Sequence, residues 1–170
     1  TVPKTPWTAK SRWDLSLPRI CVLFFGLFIF GLGDSLLIQS TIGNAPWSVL
    51  AQGVSGKLDI TMGWSTFAIS TLVLLLWIPL KEKPGFGTLS NITIIAAAIQ
   101  LGVSIFPPQS NFFIAVAYCL IGIAMVGFGS ALYITCGLGP GPRDGLMTAL
   151  HNRSGIRIGP VRLAIEGSVL

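Results

Sequence analysis

The sequence predicts an all-α, polytopic membrane helix bundle of at least five transmembrane helices, built as an inverted-topology repeat. Three observations carry that prediction: composition, the length of the apolar runs, and the match of the chain to itself. Hydrophobic residues make up 52% of the 170 positions and charged residues only 10%, with a mean hydropathy of +0.76. A soluble domain of this size carries about 25% charged residues. The apolar residues also come in unbroken blocks, not at the three-to-four residue spacing of a helix with one wet face.

Residues 1–19 hold Lys4, Lys10, Arg12 and Arg19 and read as a cytoplasmic amino-terminal segment. The first run, Ile20–Ile42, is longer than a signal-peptide core of roughly 7–15 residues and has no A-x-A-like cleavage site after it, so it reads as a retained helix. Trp64–Leu80, Leu89–Phe106 and Phe112–Leu138 are the next runs, each close to the ~20 residues that cross ~30 Å of hydrocarbon. A fifth begins near Gly159 and reaches Leu170 before it is long enough to span. It is expected to continue in a longer protein. Residues 20–106 then form a first membrane repeat of three helices, and 112–170 a second, truncated one.

Basic residues stay on the cytoplasmic side when short loops translocate. With the amino terminus inside, the cytoplasmic segments hold ten of the eleven Lys and Arg residues, and the outer loops hold only Lys57. The expected location is the bacterial inner membrane, multi-pass. The net charge of +5 is then a matter of topology and anionic lipid. Nucleic acid is not expected as a partner, because the basic-aromatic interleaving of such surfaces is absent.

Laid on itself, the chain repeats at an offset of 96 residues without a gap. Gly26 falls on Gly122, Gly31-Leu-Gly33 on Gly127-Phe-Gly129, Gly43 on Gly139, Pro46 on Pro142, Leu50 on Leu146 and Gly63 on Gly159. Chance matches are common at Leu, Ile and Ala in apolar sequence but harder to obtain at glycine and proline in loops. That offset spans three crossings, so equivalent helices run in opposite directions and the halves are related by an axis in the membrane plane, as in many secondary transporters.

Each half also carries a Gly- and Pro-marked segment between its first two long helices, Gly43–Gly56 and Gly139–Asn152. Short helices are expected from about Pro46 and Pro142, since proline suits a first helical turn. About ten apolar residues cannot span. A connector lying on the membrane surface is the plain expectation. A re-entrant helix, with its amino end turned into the bundle, is the alternative.

An ionisable side chain in hydrocarbon normally faces the bundle interior or a water-filled path. Asp34, fourteen residues into the first run, is therefore the leading candidate for solute binding, with Ser130, Asn44, Trp47, Arg143 and Asp144 as secondary candidates. Under the repeat, Asp34 falls on Ser130 and Glu166 on Ser70. In the sharper form of this expectation, Asp34 takes a proton in one conformation and gives it up in the other. Glu166 reads more simply as the ion-pair partner of Arg162, four residues before it. Gln39, Asn91 and Gln100 read as interhelical hydrogen-bond partners.

Cys21, Cys119 and Cys136 fall in the runs with no C-x-x-C spacing and no neighbouring His, so they read as apolar-like buried thiols, and neither a disulfide nor a metal is expected. Ala51–Lys57 ends like a phosphate loop but lacks its first glycine and has Leu58 in place of Ser or Thr. There is no nucleophile elbow and no H-E-x-x-H. No catalytic residue and no cofactor is expected, and the chain does not read as an enzyme.

The segments Ala45-Pro-Trp-Ser-Val-Leu-Ala-Gln-Gly-Val-Ser-Gly56 and Gly137-Leu-Gly-Pro-Gly-Pro-Arg-Asp-Gly-Leu-Met147 resemble the bacterial YczE-like membrane proteins, grouped with the YyaS/YitT type. Leu76-Trp-Ile-Pro-Leu80 and Gly85-Phe-Gly87 fit the same pattern. Family members are similar in carrying a P-W-D-V-like motif in the first half and G-P-R-D-G in the second. Here Ser48 takes the place of the first acid, while Asp144 is present. The resemblance implies a transporter-like build and no particular substrate. The expected function is transport of an unknown small solute across the bilayer by alternating access. The alternative is a non-transporting membrane factor that supports a biosynthetic or envelope complex.

Overall fold

A computed structural model describes residues 5–170; Lys4 of the basic amino-terminal segment lies outside them. The elements are all helical: α1 (Leu17–Ser40), α2 (Pro46–Leu58), α3 (Met62–Leu75), α4 (Trp77–Leu80), α5 (Phe86–Ile105), α6 (Phe112–Thr135), α7 (Pro142–Ser154) and α8 (Ile158–Val169). Four stretches are long and apolar enough to cross a membrane: α1, α3 with α4, α5 and α6. The fifth expected span appears as α8, with 12 residues, short of crossing length.

Local chemistry sets the boundaries. Pro18 occupies the first turn of α1, where a missing N–H costs nothing. Thr41 ends that helix in the left-handed region at φ 59°, a conformation unfavourable for a β-branched residue. Its hydroxyl donates to the Gln109 carbonyl at 2.9 Å, which helps hold it there. Pro79 lacks the N–H that would continue α3 and crowds the preceding turn. The span accordingly bends at Leu76 into the single turn α4. Asn111 caps α6 by accepting from the Phe113 and Ile114 N–H groups at 3.0 and 3.4 Å.

Several helix boundaries recur at a spacing of 96 residues. Helices α2 and α7 are both 13 residues long, start at Pro46 and Pro142, and have Ala45 and Gly141 as extended N-caps. Left-handed residues recur at Thr41 and Gly137 and at Asp59 and Gly155. Helices α3 and α8 begin at residues 62 and 158.

Glycines set how closely the long helices approach. A Cβ on Gly26 would meet the Gly129 carbonyl at 3.1 Å, and one on Gly33 would meet the Gly122 carbonyl at 2.9 Å. Helices α1 and α6 therefore cross antiparallel, backbone to backbone. Along α5, Gly31 faces Ala98 and Ser35 faces Gly102, so α5 lies parallel to α1. Gly127 has open space beside it, and α6 presents Phe113, Leu120, Ile123 and Phe128 outward.

The loops sort to two ends. At one, Trp7 Nε1 donates to Thr135 Oγ1 at 3.1 Å, Ala9 N to Cys136 O at 2.9 Å, and Phe86 N to Arg12 O at 3.2 Å. Asp14 pairs there with Arg19 at 2.8 Å. The Lys10 backbone N–H, assisted by Arg19, holds the Asp14 carboxyl below its usual range. At the other end, Gln39 Nε2 donates to the Val103 and Phe106 carbonyls at 3.0 and 2.6 Å. Gln100 Oε1 accepts from Gly63 N at 2.9 Å, so Gln39 and Gln100 are interhelical partners as expected. Only one thiol is buried, Cys136; Cys21 is exposed and Cys119 partly so, and none forms a disulfide.

Candidate solute-binding cavity

The two short helices do not lie flat across the ends of the bundle. Trp47 and Ser48, in the first turn of α2, are 9% and 2% exposed, and Ser48 Oγ donates to both carboxylate oxygens of Asp34 at 2.9 and 3.1 Å. Pro142, first in α7, is fully buried, and its carbonyl accepts from Trp77 Nε1 at 3.0 Å. The surface-connector expectation gives way to half-helices inserted amino end first. Ten apolar residues could not reveal this, because what draws the amino ends inward is a buried acid and a buried indole on other helices.

Between those amino ends lies a cavity of about 420 Å³, in the range of small-molecule sites. Of the expected residues, Trp47, Arg143, Asp144 and Ser130 line it, while Asp34 and Asn44 do not. Asp34 sits behind the wall, 3% exposed, and is tied to the first turn of α2 through Ser48. The Asn44 side chain instead donates to Gln52 Oε1 at 2.7 Å.

The polar pairs are crossed. In the first half the long helix supplies the acid, Asp34, and the half-helix the hydroxyl, Ser48. At the equivalent positions the long helix has Ser130 and the half-helix has Asp144. Asp144 is held by a hydrogen bond from the Tyr133 hydroxyl. Arg143 lies over the Trp47 ring, 5.1 Å from its centroid, a cation–π contact. Trp47 and Arg143 are themselves 96 residues apart, so counterparts in the two halves touch each other.

Glu166 pairs with Arg162 at 2.7 Å on α8, as their spacing implied. Asn91, expected as an interhelical hydrogen-bond partner, instead lines the cavity beside Gly141. Tyr133 and Asn91 were not distinguishable as cavity residues in sequence, where their only signal was polarity within apolar runs. Ser70 stood out only as the position on which Glu166 falls at the 96-residue offset.

Comparison with known proteins places the chain. Residues 17–170 match the model of a family of unknown function, DUF6198. The chain belongs to that family. It is 45% identical over 168 residues to an uncharacterized protein of Haemophilus influenzae, covering 99% of this chain and 77% of the relative. It is 29% identical over 149 residues to the uncharacterized membrane protein YczE of Bacillus subtilis, covering 86% and 69% of the two chains. A stretch of 85 residues, half of this chain, is 39% identical to 21% of the Na(+)/H(+) antiporter NhaA of Geobacter sulfurreducens. No solved structure matches. The YczE-like resemblance is thereby established, and with its four apolar helices the protein is a multi-pass membrane protein.

Proposed function

We propose that the protein is a transporter that moves a small solute across the inner membrane by alternating access around this cavity. The observation that carries the reading is the contact of Arg143 with Trp47. Under the proposed two-fold relation a residue that touches its own counterpart lies beside the axis, and Trp47 and Arg143 both line the cavity. The glycine seam supports the same axis, because an exchange of halves turns the Gly26–Gly129 contact into Gly122–Gly33, its partner in the seam. Inverted repeats with half-helices meeting near the midplane are a transporter device. The short likeness to an antiporter points the same way.

In this reading the crossed pairs make the halves inequivalent, Asp34 carries the coupling proton, and Ser48 holds its carboxylate toward Arg143. Asp34→Asn keeps the shape and one acceptor for Ser48, so it is expected to fold and to lose at least tenfold in pH-driven flux. Reconstituted vesicles challenged with a neutral amino acid, a carboxylate and a monovalent cation give the measurement. Wild-type vesicles that pass none of these favour the accessory-factor reading, and an Asp34→Asn variant with full flux removes the acid from the mechanism.

The amino terminus is proposed to be cytoplasmic, from the distribution of Lys and Arg. In a background without the native cysteines, Lys57→Cys is expected to label with an impermeant maleimide from outside and Lys83→Cys only after the membrane is opened. The reverse pattern overturns the orientation.

A further inference from the structure

We infer that the cavity binds a small monoanion through the Arg143 guanidinium, an inference that rests on the cavity being the solute site. Arg143 stacks on Trp47 yet has no ion pair, since the pairs among the described residues are Arg19–Asp14 and Arg162–Glu166. No hydrogen bond from its guanidinium is made within the described residues either, so its N–H edges are left for whatever occupies the cavity.

Two more side chains on the wall are in the same condition. Ser70 is 6% exposed and Asn91 is 9% exposed. Both line the cavity, and neither side chain has a protein hydrogen-bond partner among the described residues. The enclosed unpartnered atoms among the described residues are Asn44 Oδ1 and Thr66 Oγ1, so the polar atoms of Ser70 and Asn91 keep accessible surface, on the cavity they line. The acids nearby are already served, Asp34 by Ser48 and Asp144 by Tyr133. Arg143 can only donate, and Ser70 and Asn91 can each donate as well, so an acceptor is the one ligand chemistry that all three side chains can meet.

The half-helices add to it. Neither α2 nor α7 has a side-chain cap at its amino end, and both ends line the cavity. Such ends present N–H groups and roughly half a positive charge each to an anion. On the wall, Arg143 and Arg162 balance Asp144 and Glu166, so the helix ends leave it positive by about one charge. Asp34 behind the wall offsets that surplus. With Asp34 protonated, as the proposed coupling requires, the surplus of about one positive charge returns, and one negative charge matches it where two do not.

The test is calorimetric titration of the purified wild-type chain with benzoate, sulfate and tetramethylammonium, in maltoside micelles and in phosphatidylcholine nanodiscs. Benzoate is expected to bind at least tenfold more tightly than sulfate, and tetramethylammonium not at all. Binding seen in micelles but lost in nanodiscs assigns the site to a lipid phosphodiester, the same monoanion chemistry from another source. Arg143→Gln is expected to weaken benzoate at least tenfold. If that variant does not fold, Asn91→Leu, which leaves every charge in place, is expected to weaken it about threefold at unchanged melting temperature. Preference for the cation or the dianion, or benzoate affinity indifferent to both variants, overturns the inference. Benzoate binding without flux of any solute would leave the anion site standing and remove the transport reading. Flux of a cation without benzoate binding would do the reverse.

Discussion

Gly129→Leu is expected to lower the stability of the protein by about 3 kcal/mol or more, the upper part of the range for overpacking. A Cβ at that position would meet the Gly26 carbonyl at 2.5 Å and the Phe30 amide nitrogen at 2.7 Å. Those atoms are backbone and cannot rotate aside, so α1 and α6 must separate along their whole crossing. For a chain of this length each kcal/mol is about 2–4 °C of melting temperature, which puts the fall at about 6–12 °C. Gly127→Leu is the control, two residues away on the same helix with nothing near its Cβ position. It is expected to melt within about 2 °C of wild type. Scanning fluorimetry in one detergent reads both, and equal losses for the two variants would show that the seam is not what holds the helices together.

The second large effect is expected at Trp77, on the one-turn helix α4. Its indole is 2% exposed, packs against Gly145 in α7 and donates to the Pro142 carbonyl. Trp77→Ala removes a large buried side chain and leaves that carbonyl without its donor, an expected loss of about 3–5 kcal/mol. Trp77→Phe keeps much of the volume and loses only the hydrogen bond, for about 1–2 kcal/mol. The same melting experiment separates them. If the two variants lose equally, the indole N–H rather than the packing carries the contact. Because the carbonyl belongs to the first residue of α7, Trp77→Ala should also loosen the cavity and weaken benzoate binding.

The sequence was most informative where one residue type does one job. Apolar runs marked the long helices to within a few residues, because lipid asks the same thing of every position along them. Pro46 and Pro142 marked the starts of the half-helices for an equally local reason. The placement of those helices was not legible, since it depends on Ser48 meeting Asp34 and on Trp77 meeting Pro142 across 14 and 65 residues. Asp34 drew attention by its expense in hydrocarbon, and it is indeed buried. The cavity itself, however, is lined by Asn91 and Ser70, whose exposure to it is a property of the assembled helices and not of any run. Ser48, which stands where the resemblance implied an acid, is the residue that holds Asp34.

The halves are interleaved. Helix α2 of the first packs on α8 of the second, while α7 of the second packs on α3 and α4 of the first. During synthesis the first half therefore leaves the ribosome with Trp77 lacking the carbonyl it will bond and with α2 lacking its neighbour. Those seats fill only after the chain has been extended by a further 65 residues and more. A chain halted after α5 therefore lacks the Pro142 carbonyl that Trp77 bonds and the α8 surface on which α2 packs.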